Sequence, residues 1–351
     1  MSLFGPKTVL GIDLGTSGVK IAELSHSGGR FDLKNYGLLD FTDKDETALK
    51  LGDQVLANGI KELLSKTKVS TKNVIVSISS FLTFATVIEL PYLSEKDLEK
   101  AIPFEARKYI PVPLEELVLD WSIVNVKEIS EHQNSNVPQS KYPNVEIFLA
   151  AVPKAEAEKY KNIFALAGLN LRALELENIA LVRSLIGEDL SPMAIINLGG
   201  RSTSIFIIDK GFERITRNYE LGGFELTKTL SRALGVSFER AEQMKKTEGL
   251  KATSSDLADA LTPLVDLIVF ETQKIISNYE EAKKVKINKI ILSGRQANMP
   301  GFREYFNQKL KVATVIGDPF RNVSFNRLLG PTLKDLGPAL SVAIGLAMRK
   351  I

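Results

Sequence analysis

The sequence predicts an α/β protein of two similar halves, with a smaller α+β subdomain inserted in the first. Three observations carry that expectation. A strand, a glycine-cornered turn and a second strand run over residues 9–24, and the same order recurs over 194–208. Asn197 and Gly199 stand 184 positions after Asp13 and Gly15, one offset for both. Between the hairpins, residues 81–152 match neither repeat. A chain of 351 residues has room for two domains at roughly 100 to 200 residues each.

The first hairpin turns on Gly15-Thr16-Ser17-Gly18, glycines bracketing the corner. A third strand is expected over 31–41, after the turn at Ser27-Gly28-Gly29, and then a helix over 47–66. In that helix Leu49, Val55, Leu56, Ile60, Leu63 and Leu64 recur at helical spacing. A buried strand over 74–78 closes the segment. The insert reads as a strand over 83–90, a helix over 94–109, and strands over 117–126 and 145–152. Ser94 with Asp97 three residues on resembles a capping box, and Pro103 predicts a kink or a delayed start. Residues 130–144, with Val137 as their only aliphatic side chain and with two prolines, read as a solvated loop.

After the second hairpin a strand is expected over 213–221 and a helix over 223–234. A further helix is expected over 263–284, capped by Thr262, with Pro263 at its first position. Its stripe is Leu264, Val265, Ile268, Ile275, Ile276 and Tyr279. A strand over 289–292 leads into Ser293-Gly294-Arg295 and another helix.

Composition narrows the chemistry. Lys and Arg number 45 against 42 Asp and Glu, and the +3 excess is scattered, which argues against nucleic-acid binding. With no cysteine, a disulfide scaffold, a thiolate metal site and a cysteine nucleophile are excluded. Two histidines, His26 and His132, leave little for a histidine metal cluster. No apolar run reaches the roughly 18 residues of a membrane helix, and the first residues lack a secretion-signal pattern. The expectation is a cytoplasmic protein that meets a membrane only through a partner.

Two glycine turns that present backbone N–H groups and hydroxyls suit a polyphosphate gripped between them, because no bulky side chain blocks the amides. The first turn offers Gly15, Thr16, Ser17 and Lys20; the second offers Gly199, Gly200, Ser202 and Thr203. Asp13, at its strand end, is placed to face a hydrated Mg2+ on the phosphates through water. Neither the P-loop pattern nor the Gly-x-Gly-x-x-Gly spacing is present.

The two hairpins, Gly11-Ile-Asp-Leu-Gly-Thr-Ser-Gly-Val-Lys20 and Ile196-Asn-Leu-Gly-Gly-Arg-Ser-Thr203, resemble those of the actin, sugar-kinase and chaperone ATPase superfamily. Residues 176–180 resemble its first connecting helix, 291–301 its adenosine motif and 337–347 its second connecting helix. Within the superfamily the chain is similar to the PilM family of type IV pilus assembly. The insert carries that likeness: Ile88-Glu-Leu-Pro-Tyr-Leu-Ser-Glu-Lys-Asp-Leu98, Phe104-Glu-Ala-Arg-Lys-Tyr-Ile-Pro111 and Ala150-Ala-Val-Pro153.

The resemblance implies two ribonuclease-H-like (actin-like) domains with a nucleotide cleft between them. The first is 1–80 with 153–191, interrupted by the insert 81–152. The second is 192–351, with a helical subdomain at about 224–286. It implies that Asp13, Gly15, Thr16, Ser17 and Lys20 face ATP from one side, and Asn197, Gly199, Gly200, Gly222 and Gly223 from the other. Glu242 and Lys245 match the family's ribose contacts, and Gly294, Arg295 and Ala297 flank adenine. The partner implied is the cytoplasmic N-terminal peptide of a PilN-like inner-membrane protein, in a groove between the first domain and its insert. Phe104, Arg107 and Tyr109 are its expected wall; the competing reading buries Phe104 and Tyr109 in the insert's own core.

Asn197 stands where the superfamily usually has Asp, so this position cannot act as a base and holds a hydrated metal less well. The expectation is therefore an ATP-binding scaffold with at most slow hydrolysis. An FtsA-like division protein and, further back, a small-molecule kinase are the alternatives.

Overall fold

The computed structural model describes residues 7–41, 50–127, 144–251 and 255–350. Strand β1 (Lys7–Gly15) turns back as β2 (Gly18–Ser27), with Asp13 opposite Lys20, and β2 pairs with β3 (Arg30–Asp40). Helix α1 (Asp53–Thr67) buries Leu56, Ala57, Ile60 and Leu63. It starts at Asp53; the part of the expected helix over 47–49 lies outside the described residues. Strand β4 (Asn73–Ile78) then returns parallel to β1. From Val9 to Leu14 every residue of β1 is buried, the pattern of a strand covered on both faces.

The chain divides into two units, Met1–Ser79 with Asn162–Ile351, and Ser80–Lys161. In the second, β5 (Phe84–Pro91), α2 (Glu95–Ala106), β6 (Leu117–Lys127) and β7 (Asn144–Pro153) form a three-stranded antiparallel sheet, order β5-β7-β6, and one helix. Leu98, Ile102 and Ala106 of α2 close its core over Ile88, Ile147 and Leu149. The Asp97 N–H donates to Ser94 Oγ at 3.3 Å, so the expected cap is present. Pro103 does not delay the helix: it sits in the last turn, and α2 ends at Ala106, before the expected 109. The Lys108 and Tyr109 N–H groups close that end on the carbonyls of Glu105 and Ala106, both at 3.0 Å. The loop expected over 130–144 falls, apart from Asn144, outside the described residues, as does His132.

After α3 (Lys154–Leu166), β8 (Asn170–Leu176) adds to β4, and α4 (Glu177–Leu185) leads into the second sheet. That sheet repeats the first: β9 (Met193–Leu198), β10 (Thr203–Asp209) and β11 (Phe212–Tyr219) form its meander. Helices α5 (Gly223–Leu234), α6 (Phe238–Thr247) and α7 (Ser255–Lys283) follow, then β12 (Lys289–Ser293), parallel to β9 as β4 is to β1. The repetition reaches the pairing itself: Ser204 lies opposite Asn197 as Lys20 lies opposite Asp13, again 184 residues on. Helix α8 (Phe302–Leu310), β13 (Ala313–Ile316), β14 (Val323–Ser324) and α9 (Gly330–Ala347) complete the chain. The sheets run β14-β3-β2-β1-β4-β8 and β11-β10-β9-β12-β13. Strand β14 thus returns from the second half to edge the first sheet, at Phe31 and Asp32.

Helix α7 corrects one expectation. It begins at Ser255, so Pro263 lies inside it, and Thr262 does not cap it but donates its hydroxyl to the Ala258 carbonyl at 2.7 Å. A proline inside a helix costs about 3 kcal/mol. Leu257 and Leu261, both fully buried in the second-half core, offset that cost, each at about 1.5 to 3 kcal/mol.

Candidate functional site

Asp13, Ser77 and Asn197 stand at the carboxyl ends of the parallel strands β1, β4 and β9, the edge at which open α/β sheets bind ligands. Asp13 is 6% exposed and accepts from Lys20 Nζ and from the Ser77 hydroxyl, both at 2.9 Å. The carboxylate is therefore charge-balanced and held on both oxygens. Across from it the second hairpin touches the first: a Cβ at Gly200 would lie 2.2 Å from Ser17 Oγ, so only glycine permits the approach.

The second loop is shaped by its own donors. The Gly199 N–H bonds the Ser202 carbonyl at 2.8 Å, the Gly223 N–H the Gly199 carbonyl at 3.1 Å, and the Gly222 N–H the Glu225 carboxylate at 3.1 Å. These amides fix the corner and the start of α5. The adenosine-like segment is tied to α9, where the Pro338 carbonyl accepts from the Gly294 N–H at 2.9 Å and from Ser293 Oγ at 3.2 Å. Arg295 makes a bidentate pair with Asp40 at the end of β3, at 2.6 and 2.7 Å, joining the two halves over 255 residues of sequence.

Between the two hairpins lies a cavity of about 50 Å3. Asp13, Gly15, Thr16, Ser17 and Lys20 face it from one half, and Asn197, Gly199, Gly200, Gly294 and Arg295 from the other. Gly222, Gly223, Glu242, Lys245 and Ala297 do not line it. Ala297 is 1% exposed in the core, and Lys245 is equally buried, its Nζ bonded to the Gly223 carbonyl at 2.9 Å, Thr227 Oγ1 at 2.7 Å and Glu242 at 2.7 Å. Burial pulls the Lys245 ammonium below its ordinary value, against the opposing pull of Glu242. Burial works the other way on Glu242, but Lys245, Thr227 and Lys246 outweigh it and hold that carboxyl below the usual range. This network braces the first turn of α5 from behind.

Ser202, offered by the second turn, also lines the cavity; sequence reasoning missed Ser77, Glu177 and Val342, which line it too. A serine closing the apolar run Val74-Ile-Val was the signal for the first. Glu177 opens α4, where an acidic residue reads only as a favourable helix start. Behind it Glu213 of β11 is buried, accepting from the Asn178 amide and the Thr216 hydroxyl. Burial pushes its carboxyl up to about 7, the Thr216 hydrogen bond pulls down, and Glu177 pushes up further.

The donor set suits a phosphate chain: an ammonium, several hydroxyls, and a paired carboxylate of the kind that orders a hydrated cation. The room does not yet suit it. About 50 Å3 falls well short of the roughly 300 to 1,000 Å3 of small-molecule sites, so a triphosphate requires Ser17 and Gly200 to part. Among the described residues no group of three or more His, Cys, Asp or Glu side chains that could hold a metal ion occurs.

Phe104 is 69% exposed and Tyr109 45%, which removes the reading that buries them in the insert's core. The Arg107 guanidinium lies 5.8 Å over the Phe104 ring and 3.9 Å from the Glu115 carboxylate.

Two sheets of one repeat, joined by α4 and α9 and meeting at glycine hairpins, make an actin-like fold. Solved structures agree on the fold. The chain is similar to the PilM-PilN type IV pilus biogenesis complex, with a TM-score of 0.81 at 24% identity over 97% of this chain and 98% of that one. It is similar to the ethanolamine utilization protein EutJ of Carboxydothermus hydrogenoformans, TM-score 0.57 at 16% identity over 99% and 91%. MreB5 of Spiroplasma citri bound to AMPPNP follows, TM-score 0.55 at 13% identity over 97% and 95%. In sequence, the cell division protein FtsA of Bacillus subtilis is 25% identical over 224 residues, which span 56% of this chain and 50% of that relative. Residues 11–351 match the family model for type IV pilus assembly protein PilM, and the chain belongs to that family.

Proposed function

We propose that this chain is a nucleotide-dependent scaffold of type IV pilus assembly. ATP with Mg2+ is held by Asp13, Gly15, Thr16, Ser17 and Lys20 from the first half and by the Asn197 to Gly200 corner from the second. The convergence of Asp13, Lys20, Ser77 and Asn197 on one cavity, with Gly200 against Ser17, carries the reading. When bound, the nucleotide supplies the triphosphate charge that the two hairpins share. Arg295 flanks the base once released from Asp40, and Glu242 and Lys245 keep the start of α5 in place beside the ribose. Halves 1–80 with 153–191 and 192–351 then move about α4 and α9.

The partner is the cytoplasmic N-terminal peptide of a PilN-like inner-membrane protein, which brings a cytoplasmic scaffold to the membrane. Phe104, Arg107 and Tyr109 offer that peptide an exposed aromatic and cationic surface on the unit Ser80–Lys161. Asn197 in place of an acid leaves the site able to bind and poor at hydrolysis. Titration with such a peptide, with and without ATP, tests the reading: tighter binding with ATP supports it, and equal affinity for a scrambled peptide ends it.

A further inference from the structure

We propose a second anion site, at the end of the first sheet opposite the phosphate hairpins, which takes a phosphate-bearing ligand. Strand β1 carries Lys7 at one end and Gly15 at the other, a separation of roughly 25 Å at 3.3 Å per residue. Around the Lys7 end a groove of about 760 Å3 opens, within the size range of small-molecule sites.

Lys7, Arg30, Arg172 and Lys350 line it, and no Asp or Glu occurs among its described lining residues. The chain as a whole is only +3, so four cations in one groove are a local concentration of charge. The groove also has fixed walls. Arg172 Nε donates to Asn73 Oδ1 at 2.9 Å, a bond that orients the guanidinium and engages one of its three nitrogens. His26 is anchored by Nε2 to the Ala347 carbonyl at 2.8 Å and stands edge-on to Phe31, with ring centroids 4.8 Å apart.

The positive field extends beyond the groove. Lys350 also lines the adjoining hollow with Arg183 and Arg349. Those two arginines share a single carboxylate, Glu175, at 2.7 and 2.9 Å, so one of their two charges is left over. A phosphate answers such an arrangement, because each planar guanidinium engages two oxygens at once and a multiply charged group uses several cations together.

Two probes separate the sources of that chemistry: inorganic pyrophosphate in solution, and phosphatidylglycerol vesicles with phosphatidylcholine vesicles as control. The wild-type chain is compared with Arg30→Gln/Arg172→Gln, and with Lys7→Gln/Lys350→Gln as a second variant should the first fold poorly. The expected result is binding of at least one probe that weakens tenfold or more in the variants and with added salt, while ATP affinity stays unchanged. Pyrophosphate binding assigns a soluble phosphate compound; vesicle binding without it assigns a lipid headgroup. Binding of neither probe, or equal binding by wild type and variants, overturns the proposal.

Discussion

Glu213 ties the stability of the fold to pH in a direction opposite to most carboxylates. Its carboxyl is raised to about 7 in the folded chain from 4.5, chiefly by burial. The folded state therefore keeps a proton that the unfolded state releases between pH 4.5 and 7, and stability falls as pH rises through that window. At 1.36 kcal/mol per pH unit the loss is about 3 kcal/mol, complete by pH 8. Glutamine at this position cannot ionise, while its amide carbonyl still accepts from the Asn178 amide or the Thr216 hydroxyl. Urea unfolding of wild type and Glu213→Gln at pH 5, 6, 7 and 8 isolates the residue, since every other titrating group is common to both chains. The variant is expected to gain on wild type by about 2.5 kcal/mol between pH 5 and pH 8, the rest of the loss falling below pH 5. A difference that stays constant across pH would refute the argument that burial sets the charge state of this carboxyl.

Three further outcomes follow from the same geometry. A Cβ at Gly345 would lie 1.9 Å from the Ala180 carbonyl, where α9 meets α4, so Gly345→Ala should lower the unfolding free energy by about 1 to 3 kcal/mol in denaturant titration. Asn197→Asp restores an acid at the strand end and should raise ATP turnover in a phosphate-release assay; an unchanged rate removes Asn197 from that role. Phe104→Ser should leave the melting temperature unmoved, a change within about 0.5 kcal/mol at so exposed a site, while weakening partner-peptide affinity.

Local pattern carried far in this chain. Glycine corners between apolar runs announced both hairpins, and their common offset announced the repeat, because turn chemistry and strand period are written in adjacent residues. Helix α5 was legible to the residue, from Gly223 to Leu234. Helix α7 was not, because Pro263 marks a start by propensity while Leu257 and Leu261 extend the helix by tertiary burial. The cavity was half legible. Asp13 and Lys20 belong to one hairpin, but Ser77 reaches Asp13 only through the parallel register of β1 with β4. The Asp40 to Arg295 pair depends on how the two sheets meet. Lys245 was expected at the ribose by resemblance; its burial under α5 has no local signal in so polar a helix run.

Calorimetric titration of the intact chain with ATP and Mg2+, beside Lys20→Met, bears most directly on the two hairpins as a shared phosphate grip. A single saturable site in the wild type, weakened at least tenfold when the Lys20 ammonium 2.9 Å from Asp13 is removed, is the expected result. Absence of saturable heat in the wild type, or identical affinity in the variant, would contradict it.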